Sequence, residues 1–86
     1  MPNPFNPRTT ISLDVRDGHA AMTTVIVYNL LGRPIKTLVN GSMAQGHRTL
    51  VWDGSDDNGR QVHSGVYMAI MSRDGHTQTT RMALMR

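Results

Sequence analysis

The residues best suited to chemistry in this sequence lie in one acidic segment, DGSDDNG at residues 53–59. A calcium ion needs about six to eight oxygen ligands at defined spacings along the chain. The segment has the oxygens, but it lacks the alternating ligand positions and the closing bidentate glutamate of a calcium loop. Asp and Asn side chains also accept backbone N–H bonds in turns. We therefore favour a polar hairpin loop here and expect no metal and no other cofactor.

The histidines are spread along the chain and do not form a metal-ligand motif. All of them fall near predicted turns or on polar faces: His19, His47, His63 and His76. A transition-metal site needs two or more converging ligands with supporting partners, and no pair of these residues has a suitable spacing within one turn or strand. We expect all four side chains to be solvated.

The sequence offers no evident catalytic nucleophile. Ser64 follows His63, but adjacent residues of a strand point to opposite faces, so the histidine cannot serve as the base of that serine. The chain has no cysteine, which excludes a thiolate nucleophile and a disulfide. We expect that this chain is not an enzyme.

Trp52 and Tyr67 have two possible roles. A tryptophan on a middle strand of a small β-sandwich usually anchors the core. The alternative is a sugar-stacking platform, as in a carbohydrate-binding appendage of a secreted glycosidase. Such platforms usually expose several aromatic rings, whereas this sequence holds one Trp, two Tyr and one Phe. The core role is therefore favoured.

Size and charge narrow the classes of function. The 86 residues suit one domain, 1–86, and the net charge of +3 comes from dispersed cations. Nucleic-acid binders usually gather their cations into one stripe with exposed aromatics, so we expect no nucleic-acid partner. No apolar run approaches the ~20 residues of a membrane span, and no signal peptide opens the sequence, so we expect no direct membrane insertion.

The hydrophobic pattern has a period of two almost throughout, which predicts strands. Turn signals recur about every 8–12 residues, the spacing of an all-β sandwich. We therefore predict an immunoglobulin-like antiparallel β-sandwich of six or seven short strands. The predicted strands lie at residues 11–15, 22–30, 35–39, 48–52, 66–71 and 77–85.

Turn chemistry predicts the connections. Asn40-Gly41 should end the third strand, residues 42–46 should form a loop, and residues 73–76 should form a tight hairpin turn. Residues 53–64 should form a long loop or a small hairpin. The predicted core and turn residues are Trp52, Asp53, Gly54, Gly59, Gly65 and Tyr67. Four methionines in the last two strands are predicted to fill the core: Met68, Met71, Met82 and Met85.

The first seven residues, MPNPFNP, form a distinctive opening. Each proline fixes its own φ and pushes the preceding residue toward extended geometry. No helix can begin there. We expect residues 1–7 to form a stiff, extended arm with one apolar anchor, Phe5.

Four segments together resemble a known family: PNPFNPRTTI at 2–11, VYNLLGRPIKTLV at 27–39, VWDGSDDNGRQVHSGVY at 51–67 and TTRMALMR at 79–86. The chain resembles the C-terminal sorting domain of the type IX secretion system, in the subset that shares an immunoglobulin-like sandwich with the flagellar hook-cap scaffold. Two positions depart from the family pattern. Met1 replaces an aromatic, which suggests an excised module, and Asn29 stands where aspartate is common.

The resemblance implies a non-catalytic sorting module. It would direct a covalently linked N-terminal cargo protein (often a glycosidase, peptidase or adhesin) through the periplasm to the outer-membrane surface or the exterior. Its partners would be the outer-membrane translocon and a surface sortase. The alternative is a structural Ig-like assembly or spacer module, as in hook-cap scaffolds. Sorting predicts that the gene ends at Arg86, and assembly predicts flanking sequence on both sides.

Recognition of the folded domain would use the arm and the last strand. The candidate contact residues are Pro2, Asn3, Pro4, Phe5, Asn6 and Pro7 in the arm, and Arg81, Met82, Leu84 and Arg86 at the other end of the chain. If the last strand lies at a sheet edge, it could accept a strand from a partner or pair with a second copy as a homodimer. Deletion of residues 83–86 is expected to abolish export and leave the fold largely intact.

Overall fold

The computed structural model describes residues 8–85, and these form an all-β structure of two antiparallel sheets. None of the described segments is a helix long and apolar enough to cross a membrane. The strands are β1 (Thr9–Val15), β2 (Ala21–Asn29), β3 (Pro34–Met43), β4 (Gly46–Trp52), β5 (Gly65–Arg73) and β6 (His76–Leu84). The predicted fold class and the number of strands are confirmed.

The two sheets differ in size. The small sheet pairs β1 with β4 in an unbroken register from Thr9↔Trp52 to Val15↔Gly46. The large sheet has the order β3-β2-β5-β6. Its β5–β6 pairing is regular along the whole hairpin, whereas the β2–β3 pairing has two register shifts. The chain therefore crosses between the sheets at β1–β2, β3–β4 and β4–β5.

The core lies between the sheets and is made by side chains at alternate positions of the strands. Along β1 the buried residues alternate with exposed ones, and the same alternation continues in β2 and β5. Trp52 is fully buried, as predicted. The other apolar core residues are Ile11, Leu13, Val15, Val25, Val27, Met43, Tyr67, Ala69, Met71, Met82 and Leu84.

Two sequence predictions are wrong in detail. β3 does not end at Asn40-Gly41, because these residues pair with Thr24 and Thr23 and the strand continues to Met43. Pairing with a neighbouring strand outweighs the local preference of Asn-Gly for a turn. The loop predicted at 42–46 is thereby reduced to the short connection between β3 and β4.

All four methionines of the last two strands were predicted to fill the core, but only two of them do. Met71 and Met82 are buried, as expected. Met68 is half-buried on the opposite face of β5, because its position is out of phase with Met71, and Met85 is 80% exposed beyond the end of β6.

The β5–β6 hairpin turn is the tight turn predicted at residues 73–76. Arg73 and His76 are its paired first and last residues, and Asp74 and Gly75 are its two central residues. Both have positive φ, 51° and 75°, which is the backbone of a type I′ turn and matches the twist of the strands. This places Arg73 at the last inward-facing position of β5.

Candidate functional site

The structure has two dissimilar ends, and we name each after its central side chain. The arginine end holds Arg73, the β1–β2 turn at residues 16–20, and the β5–β6 turn. The tryptophan end holds Trp52, the loop at 53–64 and the β2–β3 turn at 30–33. Strands of 7–10 residues separate the two ends.

Arg73 organises the arginine end. Its residue is only 4% exposed, and its guanidinium makes a two-point contact with Asp17: Nε to Oδ2 at 2.6 Å and Nη2 to Oδ1 at 3.0 Å. It also donates to Thr23 Oγ1 at 2.9 Å and to the carbonyl oxygens of Met43 and His19 at 2.6 and 2.5 Å. The side chain, which itself precedes the β5–β6 turn, therefore links that turn to the β1–β2 turn and to the end of β3.

His19 and Asp74 extend this arrangement to the surface. His19 Nε2 lies 2.5 Å from Asp74 Oδ2, and the hydrogen bond with Asp74 raises the pKa of His19. The hydrogen bond from Arg73 lowers the pKa of Asp17 to about 2. His19 is exposed, as predicted, but it is paired and not simply solvated.

Within the part of the chain that is described, only Asp17, His19 and Asp74 bring three metal-capable ligand atoms within 4.8 Å of one another. Both carboxylate oxygens of Asp17 already accept hydrogen bonds from Arg73. The arrangement is best explained as an ion-pair network that fastens two turns together. No local sequence pattern predicts this network, because residues 17 and 74 are far apart in the chain. One signal existed: Arg73 shares the inward phase of Tyr67, Ala69 and Met71.

The tryptophan end is closed by two aromatic rings. The rings of Trp52 and Tyr67 meet edge to face, with centroids 5.0 Å apart and planes at 68°. Trp52 Nε1 donates to the Ser55 carbonyl at 2.8 Å, and the Tyr67 hydroxyl donates to the His63 carbonyl at 2.7 Å. Because Trp52 and Tyr67 are 0% and 7% exposed, they belong to the core and offer no sugar-stacking platform.

The acidic segment uses its carboxylates for turns, as predicted. Asp53 Oδ1 accepts from the backbone N–H and the hydroxyl of Ser55, and the hydroxyl bond lowers the pKa of Asp53. Asp56 Oδ1 accepts from the backbone N–H groups of Asn58 and Arg60. The segment is a small hairpin with a bridge between residues 55 and 61, and positive φ at positions 54 and 59 (79° and 81°) explains both glycines.

Asp57 fastens this loop to β3. Its backbone N–H donates to the Ile35 carbonyl at 2.9 Å, and its Oδ1 accepts from the Thr37 N–H at 3.1 Å. These bonds cover part of the outer edge of the large sheet. The loop is therefore an integral part of the tryptophan end.

The β2–β3 turn displays two leucines on a defined backbone. Asn29 Oδ1 accepts from the N–H groups of Leu31 and Arg33, and the backbone of Asn29 bonds to Gly32 and Arg33. The amide can thus supply the turn-closing oxygen that an aspartate would supply. Leu30 and Leu31 are 59% and 80% exposed, so this turn presents apolar surface to solvent.

The outer faces of the two sheets differ in polarity. On the small sheet the outward cross-strand pairs are Thr10–Val51, Ser12–Thr49 and Asp14–His47. On the central strands of the large sheet, the outward positions hold mainly apolar residues: Met22, Ile26 and Tyr28 in β2, and Val66, Met68 and Ile70 in β5. The outer face of the large sheet is therefore mainly apolar along its two central strands, and none of the interactions described above accounts for this.

The candidate recognition residues divide into three groups. Residues 1–7 and Arg86 lie outside the described range. Arg81 is exposed, whereas Met82 and Leu84 are 5% and 1% exposed core residues, so a partner of the folded domain cannot reach those two side chains. The structure argues against the expectation that deletion of residues 83–86 leaves the fold largely intact, because this deletion removes the core side chain of Leu84 and the Gly65↔Leu84 pairing.

Comparison with known families gives one match. The family model described as the FlgD Ig-like domain matches residues 5–76. Neither the search of curated proteins nor the search of solved structures found a match.

Proposed function

Because the chain belongs to the FlgD Ig-like domain family, we propose that it is a non-catalytic assembly module that joins or spaces the parts of a larger protein assembly. The observation that carries this proposal is the family match, which extends over residues 5–76 and so over most of the sandwich. It favours the assembly alternative over the sorting function that the resemblance of the termini implies.

The geometry supports an assembly role. Both ends of the sandwich are closed by buried interactions, through Arg73 at one end and Trp52 at the other. The sandwich also carries preformed surfaces, the leucine turn at 30–31 and the apolar outer face of β2 and β5, which would bind a partner at low entropic cost.

A domain replacement in the parent protein tests the assembly function. Residues 8–85, which hold all six strands of the sandwich, would be replaced by an unrelated Ig-like sandwich of the same length, and the sedimentation of the parent protein from gently lysed cells would be compared with that of the unaltered protein. We expect the altered protein to lose its large assembled form and to remain folded and abundant. An unchanged sedimentation profile would show that the domain is dispensable for assembly.

Type IX sorting remains a second candidate, favoured by the PNPFNP opening and by the basic residue that follows an apolar strand. Its partners would be the translocon, the sortase and a cargo protein, and its destination the cell surface. No family match supports this function. Fusion of residues 1–86 to the C-terminus of a periplasmic reporter, in a host with a type IX translocon, tests it. If the unaltered fusion reaches the cell surface and the Phe5→Ala fusion does not, sorting is established. If the unaltered fusion stays in the periplasm, sorting is refuted.

A further inference from the structure

From the outer face of the large sheet we infer a docking site for an amphipathic α-helix with acidic flanks, supplied by a partner protein. We call the site the outer stripe and define it by its five apolar side chains, Ile26, Tyr28, Val66, Met68 and Ile70. The inference rests on the proposed assembly function and names the surface and the kind of partner that would serve it.

The outer stripe is an apolar surface where a polar one is expected. In an antiparallel sandwich, one face of each sheet normally packs on the core and the other carries polar residues. The stripe residues are paired across the strands, Tyr28 with Met68 and Ile26 with Ile70, and all five are half-buried. Among residues 8–85 no third layer of helix or strand covers this face. The five side chains thus form a contiguous apolar surface that is partly open to solvent, and apolar surface of this kind can mark an interaction site.

The dimensions of the outer stripe fit one helix. It is two strands wide, which at about 5 Å per strand makes it about 10 Å across, and this width matches the diameter of an α-helix. From Val66 to Ile70 the stripe is about 14 Å long, which corresponds to about nine or ten residues of helix. A second sheet would require a wider apolar face, but polar residues flank the stripe: Thr37 lies opposite Ile26, and Thr79 lies opposite Ile70.

The distribution of charge around the outer stripe indicates which charged residues the partner helix carries on its flanks. The four strands of the large sheet contain no Asp or Glu, and all six acidic residues of the chain lie in β1, loops or turns. Arg81 is exposed and lies opposite Met68, at the border of the outer stripe. It has no ion-pair partner within the described part of the chain. A partner carboxylate placed beside Met68 would complete that pair.

The apolar surface continues toward the tryptophan end. Leu30 directly follows β2 at the end where Asn29 pairs with Tyr67, next to Val66 of the stripe. It is 59% exposed, and hydrogen bonds from two backbone N–H groups to the Asn29 side chain hold the turn that carries it. A helix lying along the outer stripe would therefore also contact the exposed side chain of Leu30 at one end, and the turn that carries this side chain is already ordered.

Titration of the full ¹⁵N-labelled chain with designed helical peptides tests the inference. The probe is a peptide of about 18 residues, long enough to be helical, with an apolar stripe at i, i+3, i+4 and i+7 and glutamates on its flanks. Control peptides carry lysines in place of the glutamates, or the same residues in scrambled order. We expect chemical-shift changes centred on Tyr28, Met68 and Ile70, and about tenfold tighter binding of the glutamate peptide than of the lysine peptide.

Variants test the site and its charge. Ile70→Thr should weaken binding at least tenfold, whereas Val51→Thr, which removes an exposed apolar side chain from the outer face of the small sheet, should have no effect. Arg81→Glu should reverse the preference between the acidic and basic peptides. Absence of binding, shifts centred on another face, or an unchanged charge preference in Arg81→Glu would each overturn the inference.

Two other occupants of the outer stripe are distinguishable. A concentration-dependent dimer in analytical ultracentrifugation that Ile70→Thr abolishes would assign the stripe to a second copy. Resonances at Ile70 that shift on deletion of residues 2–7, without peptide, would assign it to the chain's own first segment. Either result would overturn the inference that a partner helix binds to the outer stripe. Failure of the peptide titration combined with lost assembly in the domain replacement would leave the proposed function standing and remove only the docking site.

Discussion

At the arginine end a buried guanidinium links two turns and the end of β3 through hydrogen bonds, whereas at the tryptophan end two aromatic rings fill the space between the sheets. The first arrangement depends on charge and on directional bonds, and Asp17, His19 and Asp74 carry its charge out to solvent. The second depends mainly on apolar area, which is insensitive to pH, with one hydrogen bond from each ring to a backbone carbonyl. One small sandwich thus closes its two ends by different physical means, and each should fail under different conditions.

Loss of the aromatic pair should have the largest effect. Trp52→Ala removes the largest fully buried side chain and its edge-to-face contact with Tyr67. We expect a loss of about 3–5 kcal/mol in the free energy of unfolding, which is a large share of the total for a domain of this size. Urea unfolding measures it. An equal loss at pH 3, 6 and 9 is expected, and a strong pH dependence of this loss would contradict the proposed contrast between the ends.

Removal of the guanidinium should be the next largest effect. Arg73→Met keeps much of the side-chain volume but leaves the carboxylate of Asp17 and the carbonyl of Met43 without this donor. We expect the midpoint of thermal unfolding to fall by more than roughly 10 °C. Arg81→Met, at an exposed position of the same sheet, is the matched control and should shift the midpoint little. Equal shifts in both variants would show that Arg73 has no special role.

Acid should weaken the arginine end specifically. The pKa of Asp17 is about 2 in the folded chain against 3.8 for an unperturbed aspartate, so its contribution to stability is complete above about pH 4 to 5 and is lost as the pH falls toward 2. Thermal unfolding of the unaltered chain and of Asp17→Asn from pH 6 to pH 2 measures this. We expect the difference between them to shrink as the pH falls, and a constant difference would contradict it.

The Tyr67 hydroxyl at the tryptophan end should contribute less to stability than the aromatic rings do. Tyr67→Phe removes the hydroxyl that donates to the His63 carbonyl and leaves the ring contact with Trp52 intact. We expect a loss of about 1 kcal/mol in the free energy of unfolding, the usual value for one such hydrogen bond. Urea unfolding measures it. A loss as large as that of Trp52→Ala would show that the hydroxyl, and not the ring, closes this end.

The smallest effect should come from His19. Asp74 raises its pKa above the ordinary 6.5, so its contribution is complete below about pH 6.5 and is lost as the pH rises through the folded pKa. His19→Gln should therefore be less stable than the unaltered chain at pH 5.5 and close to it at pH 9. The size is modest because the pair is exposed and screened by salt. His76→Gln is the control, and identical pH profiles for all three proteins would exclude the pairing.

Much of the fold could be predicted from local patterns. Alternation in segments such as Ile11 to Val15 predicted both the strand and the residues that face the core, because the period of a strand is two. The turn role of Asp53 and Asp56 followed from the tendency of Asp side chains to accept backbone bonds within a few residues. The prediction failed at Asn40-Gly41, where pairing with β2 overrode local turn preference.

The candidate sites could be predicted less well. Met82 and Leu84 were assigned to partner recognition, but the register of β6 against β5 turns both toward the core. The outer stripe was not anticipated, because an apolar strand pattern does not show which of two apolar faces is covered. The network around Arg73 depends on residues that are up to 56 positions apart, which no local pattern can connect.

The sequence by itself determined the strand period, most of the turns and the burial of Trp52, since these depend on the chemistry of neighbouring residues. Only the tertiary structure decided that Arg73 meets Asp17, that His19 meets Asp74, and that the second apolar face of β2 and β5 lies outside the sandwich. The reason is that strand order and register bring distant residues together, and both are set by how two sheets share one core.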